Sequence, residues 1–295
     1  MSIRRQPENV LAIASLLFSA SMWGLIWYPL RLLDQAGMDA VWSSLIMYLA
    51  ASVLAVPVLF RQYKLIPQHF WQLMTLALAA GVTNVAFVVA LIEGEVMRVM
   101  LLFYLSPLWT VILGRWWLGE RLSRAAMFMF AVAMSGSLVM LWNPQIGWPW
   151  PHGLADWLAL IGSIAFSINN VLARKLASVS MGLKTGVVWW GVVVVSIVVL
   201  LWQQTPMPQV ELSVWTGAWM LGWLGIVAMT ISVLYGVARM PVYRSAVIML
   251  FELVVAAIAA WWLTDEAMSV QEWLGGVLII SAAYGVAHIT VNDAH

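Results

Sequence analysis

The chain has 295 residues, of which 63% are hydrophobic and only 9% charged, and its mean hydropathy is +0.92. A soluble domain carries about 25% charged residues, so this composition cannot clothe a water-facing surface. Soluble enzymes, nucleic-acid binders and disordered regulators are excluded, and a net charge of +1 offers nucleic acid no pull. The sequence is that of an integral membrane protein. Zero cysteines remove disulfides, thiolate catalysis, Fe–S clusters and cysteine-ligated zinc together. His69, His152, His288 and His295 are scattered without metal-binding spacing, so no metal or other cofactor is expected.

A helix needs about 20 apolar residues to cross the hydrocarbon core. Taken in chain order, such stretches lie at 10–30, 41–60, 70–92, 99–118, 125–142, 154–173, 186–202, 215–238, 245–263 and 273–290. The connectors are short and hold the Pro and charge clusters of turns, as in Arg61-Gln62-Tyr63-Lys64 and Asn143-Pro144-Gln145. The stretches are too long for strands of an outer-membrane barrel. Arg4 and Arg5 precede the first span as in a signal peptide, with Ser19-Ala20-Ser21 as a small-residue site. The apolar run continues through Trp23, Leu25, Ile26 and Trp27, however, which predicts an uncleaved span. The expected fold is all-α, with ten transmembrane helices. Residues 1–9 and 291–295 are the cytoplasmic termini, and 143–153 is an outer linker between halves 10–142 and 154–290.

Placing the N-terminus inside puts Arg4, Arg5, Arg61, Lys64, Arg115, Arg121, Arg124, Arg174, Lys175, Lys184, Arg239 and Arg244 on the inner side. Only Arg31 and Arg98 fall outside, so the positive-inside rule favours this orientation twelve to two.

The two halves repeat. Trp116-Trp117-Leu118 closes span four as Trp261-Trp262-Leu263 closes span nine, at an offset of 145 residues. After one inserted residue, Glu120 and Ser123 match Glu266 and Ser269, and Arg31 falls on Arg174 at an offset of 143. Five helices per repeat is an odd number, so the second copy is inverted. Inverted repeats are typical of secondary transporters, whose substrate site lies near the midplane where the halves meet.

The pattern resembles the ten-helix drug/metabolite transporter superfamily, specifically its EamA-type exporters. The likeness is carried by Met22-Trp23-Gly24, Tyr104-Leu105-Ser106-Pro107 and Leu118-Gly119-Glu120-Arg121-Leu122. Its echoes are residues 162–167 and Leu263-Thr264-Asp265-Glu266. It covers about residues 9–291 and implies export of small metabolites, amino acids or drugs from a bacterial inner membrane through a cavity built by both halves. Two departures stand out: Glu252 replaces the family's second proline in span nine, and Thr264-Asp265-Glu266 replaces its closing Gly-Glu.

Glu252 is the sharpest single feature. It lies about eight residues into span nine, roughly 12 Å from the inner edge. A charge at that depth costs about 2.5–3.5 kcal/mol unless it is paired or faces water. One reading is a carboxylate that binds a cationic substrate, takes up a proton, or alternates between the two. The other is a structural glutamate hydrogen-bonded between helices or paired with an arginine. Trp23, Trp27, Tyr48, Asn84, Tyr104, Asn169, Asn170 and Tyr235 are the other mid-depth polar and aromatic candidates for a cavity. Each asparagine has helix-to-helix bonding as its alternative role, and each aromatic has packing. Pro107 is a candidate kink, as are Pro29 and Pro57 nearer span ends. At the outer hairpin, Arg98 with Glu93 or Glu95 forms either a breakable ion-pair gate or an ordinary solvated turn.

A secondary transporter is the leading reading: a small-molecule, aromatic or cationic solute moves by alternating access, with proton coupling through Glu252. No GxxxxGK[ST] loop is present to supply ATP energy. A membrane-embedded enzyme or lipid-handling protein is the alternative. It wants a catalytic set inside the membrane, and Asp156 stands alone at the start of span six. Lipid and protons are the other expected partners, and monomer and homodimer both stay open.

Overall fold

A computed structural model of the chain describes residues 5–94, 96–142, 150–263 and 268–288. Within these residues there are helices and no strand, and ten spans are long and apolar enough to cross a membrane. Seven of the spans are single helices: α1 (Arg5–Gln35), α2 (Ala40–Gln62), α3 (Phe70–Glu93), α6 (Arg124–Leu141), α7 (Leu154–Lys175), α8 (Met181–Gln203) and α13 (Val270–His288). The other three are interrupted. Span four is α4 (Val96–Phe103) followed by α5 (Ser106–Leu118). Span eight is α9 (Leu212–Met220), a π-helical stretch Leu221–Ile226, and α10 (Val227–Val237). Span nine is α11 (Val242–Met249) followed by α12 (Phe251–Leu263). Residues 143–149 of the 143–153 linker, the second-half motif Thr264-Asp265-Glu266 and both extreme termini lie outside the described residues.

Local chemistry sets these boundaries. Asp39 accepts from the Val41 and Trp42 amides at the start of α2, and Ser123 and Ser180 cap α6 and α8 in the same way. Gly119 ends α5 in the left-handed region, at φ 68°, where a side chain would be strained. Of the prolines, only Pro107 marks a break; α1 and α2 continue as helices through Pro29 and Pro57.

Span seven begins five residues earlier than its apolar run suggests. Lys184, expected in a connector, is inside α8 and only 2% exposed. Its ammonium donates to Ala173 O and Leu176 O, the carbonyls that end α7, so a cation offsets the negative end of that helix. Span nine is likewise longer than expected, and buried Arg244 donates to Ala287 O near the end of α13.

The repeat is visible in the packing. Spans four and nine each divide into helices of 8 and 13 residues. α1 packs on α10 and α12, as α7 packs on α3 and on α4 and α5; α6 pairs with α13, and α2 with α8. Each of these pairings of spans thus recurs, or maps onto itself, with the halves exchanged. Small residues allow the close approaches, since helices in lipid associate through packing. A methyl added at Gly191 of α8 would sit 2.1 Å from the Ala77 carbonyl oxygen of α3. Gly191→Ala is therefore expected to lower stability by about 1–3 kcal/mol, read as an earlier unfolding midpoint in detergent.

Candidate functional site

Spans four and nine break where the two halves meet. In span four, Pro107 has no N–H to offer the Phe103 carbonyl, and the chain turns through Tyr104 and Leu105. In span nine the break occurs without a proline. Leu250 N bonds to Val247 O and Leu253 N to Leu250 O, three-residue closures that replace the regular helical ladder. Glu252 occupies the first turn of α12, where the positive end of the helix favours an acid. The family's second proline is therefore not needed to interrupt this helix.

The two breaks touch. Tyr104 Oη donates to Glu252 Oε1 at 2.8 Å, joining residues 148 apart in sequence and one from each half. Around this bond lies a cavity of about 150 Å³, lined by α1, α2, α3, both halves of span four, α7, α8, α10 and both halves of span nine. Trp23, Tyr48, Asn84, Tyr104, Asn169, Asn170 and Glu252 are all in its wall. Two expected residues are not. Trp27 lies along α1 with its ring edge-on to Tyr28 at 5.7 Å. Tyr235 packs beneath the Arg239 guanidinium, 3.5 Å from its ring centre, near the end of span eight.

The cavity also has an apolar aromatic wall. Phe103 lies 4.3 Å from Phe87 and 5.9 Å from Phe166, ring centre to ring centre, and all three line the cavity. Phenylalanine in so apolar a chain carries no signal that separates a cavity wall from a lipid face. One turn before Phe87 on α3, the Asn84 amide reaches Tyr48 Oη at 3.5 Å. The Oδ1 atoms of Asn84 and Asn169 have no hydrogen-bond partner among the described residues.

Each repeat presents a small side chain to the break of the other. Gly24 of α1 lies against span nine, where an added Cβ would be 2.7 Å from Glu252 O. Ser167 of α7 donates to Ser106 O at 2.8 Å in span four. These positions correspond at the same offset that aligns Arg31 with Arg174.

Ion pairs close both ends of span four onto span six. At the end poor in Lys and Arg, Arg98 Nε lies 2.9 Å from Asp156 Oδ2, and the guanidinium also donates to Trp150 O. Of the acids expected beside Arg98, Glu93 is exposed at the end of α3 and Glu95 lies outside the described residues. Asp156 is not an isolated acid but the partner of Arg98, and it also accepts from the His152 amide at 2.8 Å. At the Lys/Arg-rich end, Glu120 Oε2 accepts from Val242 N at 2.8 Å and Oε1 is 3.6 Å from Arg174 Nε. Arg174 donates in turn to Ala238 O at 2.6 Å. Four span ends from both halves meet there. Burial pushes the Glu120 carboxyl up from the usual carboxylate range, and the Val242 amide and Arg174 pull it back.

Two copies of one family model, the EamA-like transporter family, match residues 10–142 and 153–287. The chain belongs to the EamA-like transporter family. Its ten membrane-length spans are those of a multi-pass membrane protein, and the doubled match is the five-helix repeat seen in the packing. An uncharacterised transporter of Pseudomonas aeruginosa is 25% identical to this EamA-like transporter over 160 residues, covering 52% of this chain and 51% of that one. The chain thus spans about half the length of that curated relative. A solved crystal structure with 18% identity has the same fold at a TM-score of 0.71, covering 92% of this chain and 95% of that one.

The side chains of Arg98 and Asp156 are only 11% and 8% exposed, so removing Asp156 takes a close, largely buried charge partner from Arg98. Asp156→Ala is expected to cost about 3–5 kcal/mol of stability. With Arg98→Ala added, the double variant should lose less than the sum of the two single losses, as read by unfolding in a double-mutant cycle.

Proposed function

We propose that this transporter is a secondary active exporter of aromatic or cationic organic solutes, working by alternating access and coupled to protons through Glu252. The observation that carries the reading is a carboxyl at mid-membrane depth that lines a cavity and bonds across the repeat to Tyr104. An acid in that position can hold a proton or a cation, and a carrier that exchanges one for the other moves them in opposite directions. Export, and residence in a bacterial inner membrane with both termini cytoplasmic, rest on the resemblance and on the twelve-to-two distribution of Lys and Arg.

In this reading the cluster of Glu120, Arg174, Ala238 and Val242 latches the cytoplasmic side. Opening to the cytoplasm separates the ends of spans four and six from those of spans eight and nine, and breaks the Glu120–Val242 and Arg174–Ala238 bonds. The Arg98–Asp156 pair joins spans four and six at the other end, so those two spans move together.

Glu252→Gln is expected to abolish proton-driven transport in proteoliposomes while the protein still reaches the membrane. Wild-type rates in that variant would exclude Glu252 as the carrier group. The latch is testable because the chain has no native cysteine, so an introduced Ala246→Cys is the sole label site in the cavity wall. Adding Glu120→Ala strands the Val242 amide and removes the counter-charge of Arg174, and should raise labelling from the cytoplasmic side by about tenfold, the effect of ~1.4 kcal/mol. Glu120→Gln retains an acceptor for Val242 and should raise it much less.

A further inference from the structure

We infer that the cavity selects an amine bearing a single aromatic ring and a single positive charge, and discriminates against the same skeleton carrying a carboxylate. The inference rests on the reading of this cavity as the solute site, and it narrows the substrate class from the donors and acceptors in the wall.

The first observation is charge. Among the described lining residues Glu252 is the one acid, and there is no Lys, Arg or His. A substrate ammonium finds a counter-charge there; a substrate carboxylate finds none and would be desolvated without compensation.

The second concerns the half-helix N-termini, which in inverted-repeat transporters commonly receive the anionic group of a substrate. Both are unavailable here. The N-terminus of α12 carries Glu252 in its own first turn. The N-terminus of α5 begins Ser106-Pro107, so one N–H is missing, and the Leu108 and Trp109 amides both turn back to Leu105 O. A carboxylate entering the cavity thus meets an acid at one break and a depleted set of donors at the other.

The third is the surplus of acceptors. Tyr104 engages one carboxyl oxygen of Glu252, Oε1. Asn84 and Asn169 each retain an amide oxygen without a partner. An ammonium group brings up to three donors to such a wall. The fourth is size and surface: about 150 Å³ is the scale of a cavity that accepts one benzene ring, and Phe87, Phe103 and Phe166 provide the aromatic side. The ring of the solute lies against the phenylalanines, and its amine lies at Glu252.

Calorimetric titration of the full chain in lipid nanodiscs with phenethylamine, phenylalanine and phenylacetate tests this, with empty nanodiscs to subtract partitioning. Phenethylamine should bind at least about tenfold more tightly than phenylalanine, and phenylacetate more weakly still. Glu252→Gln should erase that preference. Equal or tighter binding of phenylalanine or phenylacetate, absence of phenethylamine binding at millimolar concentration, or a preference that survives Glu252→Gln would each overturn the inference. Flux in proteoliposomes separates it from the transport reading. Movement of phenylalanine in preference to the amine overturns the selectivity alone. Tight amine binding with no flux of any solute supports the selectivity and overturns transport.

Discussion

An interrupted helix inside a bilayer leaves backbone groups that lipid cannot hydrogen-bond, so the interruption survives only where protein or an aqueous cavity meets it. This chain interrupts spans four and nine at matching positions and sets the breaks facing one another, with Tyr104 from one donating to Glu252 of the other. Much of the architecture serves that meeting. Gly24 brings α1 against the backbone at Glu252, and Ser167 satisfies Ser106 O in span four. The cavity opens between the breaks because neither helix can fill the midplane continuously.

The same arrangement departs from strict two-fold symmetry in a way that bears on function. Pro107 interrupts the first repeat by removing a donor, whereas the corresponding position of the second repeat is Glu252, which adds an acid to the wall. A symmetric scaffold thereby encloses an asymmetric site with one negative group. Ion pairs join span four to span six at both ends, through Arg98 and Asp156 and through Glu120 and Arg174. The break carrying Tyr104 thus belongs to a pair of spans clamped at both ends.

Much of this was legible in the sequence because bilayers impose simple rules. Length and hydropathy define ten spans, and the Trp-Trp-Leu triplets expose the repeat. One acid in a long apolar run pointed to Glu252, and Tyr104, Asn84 and Asn170 followed because polar groups are scarce at that depth. What was not legible depends on which ends of different spans meet. Arg98 also meets Asp156, an acid from the other half of the chain that nearness in sequence does not announce. Glu120 read as a motif marker, although its carboxylate caps a helix 122 residues away. Lys184 and Arg244 looked like connector charges because a cation that ends another helix is indistinguishable by composition from one in water. The break in span nine has no proline or glycine to announce it.

The central claim is that the Glu252 carboxyl exchanges a proton for a cationic solute at the meeting point of the two breaks. Infrared difference spectroscopy of the reconstituted transporter, recorded on adding phenethylamine, tests it most directly. A protonated-carboxyl band assigned to Glu252 by its absence in Glu252→Gln should disappear as a carboxylate band grows. A Glu252 band that is unchanged when the amine is demonstrably bound would contradict the account.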